Sequence, residues 1–232
     1  MVDGRFLALR HVWCSLPGAP VSKISNLIMD TMVYNRVIWL ATKGETYMTT
    51  ATGILRHEHE AILKMLDVTD EVNRRMERGT AVEPETLAAL VEFFRLFADK
   101  CHHGKEEDLL FPAMEAKGMP RHGGPIGVML IEHEQGRAHV REMAAAAEEA
   151  AAGKQGACGR WLLAAQAFSS LLRGHISKEN HVLFVMAERM LSDSEQSELA
   201  GAFERVEVEK MGAGTHERLH GVMDRLVAGI LS

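Results

Sequence analysis

The chain has 232 residues, 47% of them hydrophobic and only 6 of them proline, so it is long and apolar enough to bury one substantial core. Its net charge of -6 and isoelectric point near 6.1 exclude nucleic-acid binding driven by a basic surface. No apolar run approaches the roughly 18 residues that mark a membrane span, and Cys14, Cys101 and Cys158 are too widely spaced and odd in number for a disulfide framework. The expectations are therefore no nucleic acid, no membrane and a reducing cytoplasm.

Residues 1–47 hold Tyr34, Tyr47, Trp13 and Trp39 but show neither sustained helical periodicity nor a secretory pattern. They are expected to be a poorly ordered extension, and Met48, ahead of TTATGILRHEHE, resembles a start upstream of which the chain is mis-assigned. From Thr52 onward the chain reads as helices. Helix A spans 52–78 and stops at Gly79; helix B starts at Pro84 and runs to Lys117, with Pro112 expected to kink it. Helix C runs from Pro125 to Gly153 and helix D from 157 to 191. Ser192 with Glu195 forms a capping-box pattern opening helix E, which Gly212 and Gly214 end; Thr215 opens a last helix to about residue 230. No period-two alternation is sustained. The expected fold is all-α: an up-down-up-down four-helix bundle over 48–191, with one or two extra C-terminal helices over 192–232 packed on it.

Two stretches of this pattern match each other. CHHGKEEDLLF at 101–111 and GHISKENHVLF at 174–184 each set a Glu four residues after a His: His102 with Glu106, His175 with Glu179. At that spacing both side chains share one helix face. Each stretch is preceded by a Glu-His dipeptide, Glu58-His59 and Glu132-His133, and the repeat is 74 residues between His59 and His133 and 73 between the His102 and His175 pair. Helices A–B and C–D are two copies of one hairpin. Helix rise sets His59 and His102 at nearly one level, ~30 against ~27 Å from the turn, and likewise His133 and His175; across the B–C turn the levels differ, ~23 against ~12 Å.

Neighbours at helical spacing decide which side chains face inward. His59 shares its stripe with Leu55, Ile62 and Leu66; His102 with Val91, Phe94, Ala98 and Leu109; His133 with Ile126, Met129, Leu130 and Val140. His175 shares its stripe with Ala164, Phe168, Leu171, Leu172, Val182 and Met186. His103 sits with Glu92, Leu96 and Asp99 on a mixed face, while His57 and His181 fall on wet faces. A lone inward histidine is ordinarily a hydrogen-bonded core residue. Four of them with two inward carboxylates are not, because a dry core cannot hold such a set without compensating charge. Two cations supply it, and mixed imidazole and carboxylate donors suit iron, with manganese and zinc as alternatives. The expected ligands are His59 and His102 on one metal, His133 and His175 on the other, and Glu106 and Glu179 across both. Glu58, His103, Glu107 and Glu132 are expected in the layer behind them.

In these residues the sequence resembles the hemerythrin-like, His-His-Glu cation-binding proteins over about 52–190, through EHEAIL, HHGKEEDLLFP, EHEQGR and HISKENHVLF in order. The resemblance implies a non-haem Fe–O–Fe centre of two iron ions. Its small ligand would be dioxygen, nitric oxide or peroxide, and its work sensing, storage, iron handling or a stress response. A di-iron redox enzyme, peroxidase-like or repairing iron centres, and a bundle merely stabilised by metal are the alternatives. Two positions depart from the oxygen carriers. Their fifth histidine, four residues along helix C, is Arg137 here, and their Asp five residues after the last His is Asn180. A four-His, two-Glu set is therefore expected.

Two further features stand apart. His216-Glu217-Arg218-Leu219-His220 matches the H-E-x-x-H metalloprotease helix, but only twelve residues follow it and no sheet is there to present substrate. A helix docked on the bundle is the expectation. Cys101 lies beside His102, as a packed thiol or a redox-active one near iron.

Overall fold

Thr50 starts the first helix by accepting the Gly53 N–H on its hydroxyl at 3.1 Å. The computed structural model describes residues 50–212 and 214–231, the side chain of residue 211 excepted. The chain divides into two units, Met1–Thr46 and Tyr47–Ser232, and the helices below all belong to the second. The extension expected at 1–47 lies outside the described residues.

Helix α1 is Ala51–Glu77, closed by Gly79 at φ +75°. Helix α2 opens with Pro84 as Pro84–Phe93 and continues through Phe94–His103, Glu106–Leu110 and Phe111–Ala116. Gly118 and Gly123, at φ +98° and +73°, reverse the chain into α3, Pro125–Ala151. Helix α4 runs as Ala157–Lys178, Glu179–Leu183 and Phe184–Met190. The four form an up-down-up-down bundle, and no strand occurs among the described residues. Helix α5, Asp193–Val206 extended by Glu207–Met211, opens on the expected reciprocal cap between Ser192 and Glu195. Helix α6 is Thr215–Ile230. It packs on α1 and α2, burying Leu219 and Val222, with Arg218 donating to both Glu92 oxygens at 3.0 Å. None of the described helices is long and apolar enough to cross a membrane.

The segments Phe94–His103, Glu106–Leu110 and Glu179–Leu183 are π-helical. Phe111 N–H donates to the Glu106 carbonyl and Phe184 N–H to the Glu179 carbonyl, so both repeats widen at the same place. The wide turn also carries α2 past Pro112, which has no N–H to give. Each extra residue rotates the downstream helix by about 100° relative to an uninterrupted α-helix. Hence Leu110, not Leu109, is fully buried, and Leu183 is buried where Val182 is 49% exposed. The inward stripes expected through Leu109 and Val182 are corrected by one residue for this reason.

Two apolar clusters fill the bundle. One gathers Ile62, Leu66, Val72, Phe93, Phe94, Phe97, Val140, Met143, Trp161 and Phe168; the other Leu55, Leu110, Phe111, Met114, Ile126, Leu183 and Phe184. On every helix the expected metal ligands fall between them, so a polar layer is sealed by hydrocarbon on both sides. Trp161 is wholly buried and donates its indole N–H to Asn73 Oδ1 at 3.0 Å. Trp161→Ala is expected to cost about 3–5 kcal/mol, read as a lower urea midpoint with helical content retained in the absence of denaturant.

Candidate metal centre

The polar layer brings seven side chains together. Ligand-type atoms of His59, His102, Glu106 and Glu179 lie within 4.8 Å of one another, as do those of His103, Glu106, His133 and His175, with Glu106 common to both groups. His59 Nε2 is 3.1 Å from Glu179 Oε2, and His175 Nε2 is 3.1 Å from Glu179 Oε1, so Glu179 also faces both groups. His133 Nε2 stands 3.1 Å from His175 Nε2 and 3.5 Å from Glu106 Oε2. The level difference that straight helices give across the B–C turn is absent at the site itself.

His103 is the residue that periodicity misplaced. It was expected at the surface or behind the ligands, but it is only 5% exposed and stacks on His133, ring centroids 3.8 Å apart. The π segment that ends on it packs more residues into each turn, so His102 and His103 both face inward. The layer therefore holds five histidines and two glutamates. The fifth histidine comes from α2, and Arg137 on α3 does different work.

Each ring is fixed from behind through Nδ1. His102 donates to Glu58 at 2.9 Å, His133 to Glu107 at 2.6 Å, His175 to Glu132 at 2.9 Å and His59 to Asn180 Oδ1 at 2.9 Å. His103 Nδ1 faces Asp99 Oδ1 at 3.4 Å. Arg137 then clamps two of these acceptors, donating to Glu107 at 2.7 Å and to Asp99 at 2.7 Å. Glu58 is clamped in turn by Lys105, which is wholly buried and also donates to Glu207 at 2.6 Å. Sequence reading pointed to Glu58, Glu107 and Glu132, but not to Asp99, Asn180 or Lys105 as supports. Their signal was their position three or four residues, or one residue, from a ligand on a helix that is not uniformly α.

With every Nδ1 engaged, the Nε2 atoms turn inward. Nε2 of His59, His102 and His103 and all four carboxylate oxygens of Glu106 and Glu179 are buried without a well-formed hydrogen bond. Seven such atoms in one layer would be costly to leave uncompensated. The metal-free electrostatics express the same conflict. Burial and the neighbouring Glu179 charge hold the Glu106 carboxyl well above its usual range. Burial pushes Glu179 the same way, but His175, His133 and His59 overcome it and keep it ionised. Burial lowers His102 to about 4 against the pull of Glu58, and burial with His133 and His102 nearby lowers His103. That lowering favours the neutral form of His102 and His103, in which Nδ1 carries the proton and Nε2 can take a metal.

The sequence profile of the hemerythrin HHE cation binding domain matches residues 50–187. The chain belongs to the hemerythrin HHE family. Curated relatives of this hemerythrin-family chain include Uncharacterized protein Mb2018 of Mycobacterium bovis and Uncharacterized protein Rv1995 of Mycobacterium tuberculosis. Each is 26% identical over 171 residues, covering 74% of this chain and 66% of the relative's own length. The chain thus matches slightly less than two thirds of those proteins, and no solved structure matches it. The buried His/Glu layer lies wholly within the matched residues of this hemerythrin-like bundle. Cys101, one residue before His102, is a buried free thiol that burial and Glu58 push up to about 12, so it is no thiolate nucleophile in the metal-free protein.

Proposed function

We propose that this hemerythrin-like chain holds two iron ions in the His/Glu layer and binds dioxygen or nitric oxide there, as a sensor, store or stress-response protein. The observation that carries the reading is the set of buried Nε2 and carboxylate atoms that lack hydrogen-bond partners while every Nδ1 is tied down. His59 and His102 would hold one ion and His103, His133 and His175 the other. Glu106 and Glu179 would reach both. Iron so held would supply reversible electron transfer and take a diatomic ligand. Two imidazoles would serve one ion and three the other, so the His59 and His102 side would have the more room for that ligand.

The protein's own contribution is to exclude water and to orient. Phe184 stacks on His59 with centroids 5.4 Å apart, and Phe111 lies 6.0 Å from His133, so hydrocarbon caps the layer. A surface cleft of about 410 Å³ is lined in part by Asp99, Glu107 and Arg137, and Asp99 and Glu107 face the outer nitrogens of His103 and His133. Metal analysis and an optical spectrum of the aerobically purified protein test the proposal. About two irons per chain with near-ultraviolet oxo-bridge bands are expected; one zinc with a featureless spectrum overturns it. Arg137→Met should weaken iron retention about 10–100-fold by freeing Glu107 and Asp99, measured by competition with a chelator, while leaving the helical signal unchanged.

A further inference from the structure

The H-E-x-x-H helix is not used by the centre above, yet one of its histidines faces a buried thiol. We propose that Cys101, Glu207 and His216 form a separate site for one zinc-class divalent cation, joining the C-terminal helices to α2.

The ligand-type atoms of the three residues lie within 4.8 Å of one another, although they come from α2, the end of α5 and the first turn of α6. Ligands on one tetrahedral zinc stand about 3.5 Å apart, so closing the site needs side-chain adjustment of about an ångström, not backbone movement. The set is one sulfur, one nitrogen and one carboxylate, a borderline-soft combination that suits zinc or cobalt.

The surroundings are built for the task. Glu207 gives Oε1 to Lys105 at 2.6 Å and turns Oε2 toward His216 Nδ1, 3.5 Å away. His216 Nε2 lies 2.9 Å from His220 Nε2, four residues on, so the outer nitrogen of the ring is held and Nδ1 faces the site. Phe97 packs against both rings, with centroids 5.6 and 5.7 Å away. Glu217 of the motif has no part in this arrangement, which fits a binding site and not a hydrolytic one.

The carboxylates of Glu58 and Glu207 flank the buried ammonium of Lys105 beside the site. On binding, a divalent cation displaces the Cys101 proton to solvent. Glu58 also holds His102, so the two sites share a support without sharing a ligand.

Cobalt tests the site, because a cobalt–thiolate bond absorbs in the near ultraviolet and the seven-residue centre contains no sulfur. Iron-loaded protein cleared of loosely held metal is titrated with Co²⁺, following bound metal and absorption together. One further cobalt per chain is expected, with a thiolate band and visible bands of four-coordinate cobalt. Cys101→Ser should abolish the thiolate band, and both Cys101→Ser and His216→Ala should weaken the extra cobalt at least about tenfold. Both should keep their iron and helical signal. Absence of bound cobalt overturns the site, as does a thiolate band that persists in Cys101→Ser. The band keeps its meaning even if the His/Glu layer holds no iron, so failure of one site is distinct from failure of the other.

Discussion

Stripping the metal from the hemerythrin-like centre is expected to lower the melting temperature by roughly 8–16 °C. A ligand present at about a thousand times its dissociation constant stabilises the state that binds it by about 4 kcal/mol, and each kcal/mol moves the melting point of a chain this size by about 2–4 °C. The structural reason is the layer itself. Without a cation, burial and the Glu179 charge hold the Glu106 carboxyl well above its usual range and Glu179 remains the charged member of the pair, while Nε2 of His59, His102 and His103 makes no well-formed hydrogen bond. These groups sit between two apolar clusters that cannot solvate them. A metal held there would join four helices that otherwise carry an uncompensated polar layer in the middle of their core. Calorimetry before and after reductive chelation checks this, with iron added back to restore the original transition. A shift below about 3 °C would show that the layer is tolerated without metal and that the centre contributes little to the fold.

Much of this arrangement was legible because two signals reinforce each other. The repeat of H-x-x-x-E after 73 residues put His102, Glu106, His175 and Glu179 in register, and the apolar stripes of α1 and α3 oriented His59 and His133. Both stripes lie on regular α-helices, where a 3.6-residue period can be trusted. The misreadings cluster where that period fails. His103, Leu110 and Leu183 sit in or at the end of π-helical turns, and each is displaced by about one residue from the face that an α-helix gives it. The available clue was Pro112, which an unbroken α-helix carries only with difficulty one turn beyond the ligands. Lys105 was illegible for another reason. A lysine beside two glutamates reads as a solvated charge, and only the tertiary fold brings Glu58 and Glu207 to its ammonium and buries all of it. The same holds for Arg137, whose spacing from His133 marked it as a lost ligand, whereas its partners Asp99 and Glu107 come from α2.

The two central glutamates should respond differently to the same substitution. Glu106→Gln is expected to reduce iron from about two to below about half an ion per chain, because Glu106 belongs to both ligand groups and an amide is a poor anionic ligand. In the metal-free state the same change should be nearly silent, within about 1 kcal/mol. There Glu106 is already a neutral acid by burial and by the adjacent Glu179 charge, and glutamine matches its shape. Glu179→Gln should also lose the metal, but it should destabilise the metal-free fold as well, by about 1–3 kcal/mol. Glu179 is ionised there despite burial, its oxygens 3.1 Å from His175 and His59, and removing that charge takes away the group those imidazoles face. Iron content by metal analysis and urea denaturation of chelated protein give the two readouts. Equal losses of metal-free stability would show that the carboxyl groups share their charge evenly. Retention of iron by Glu106→Gln would show that the ions do not meet at Glu106.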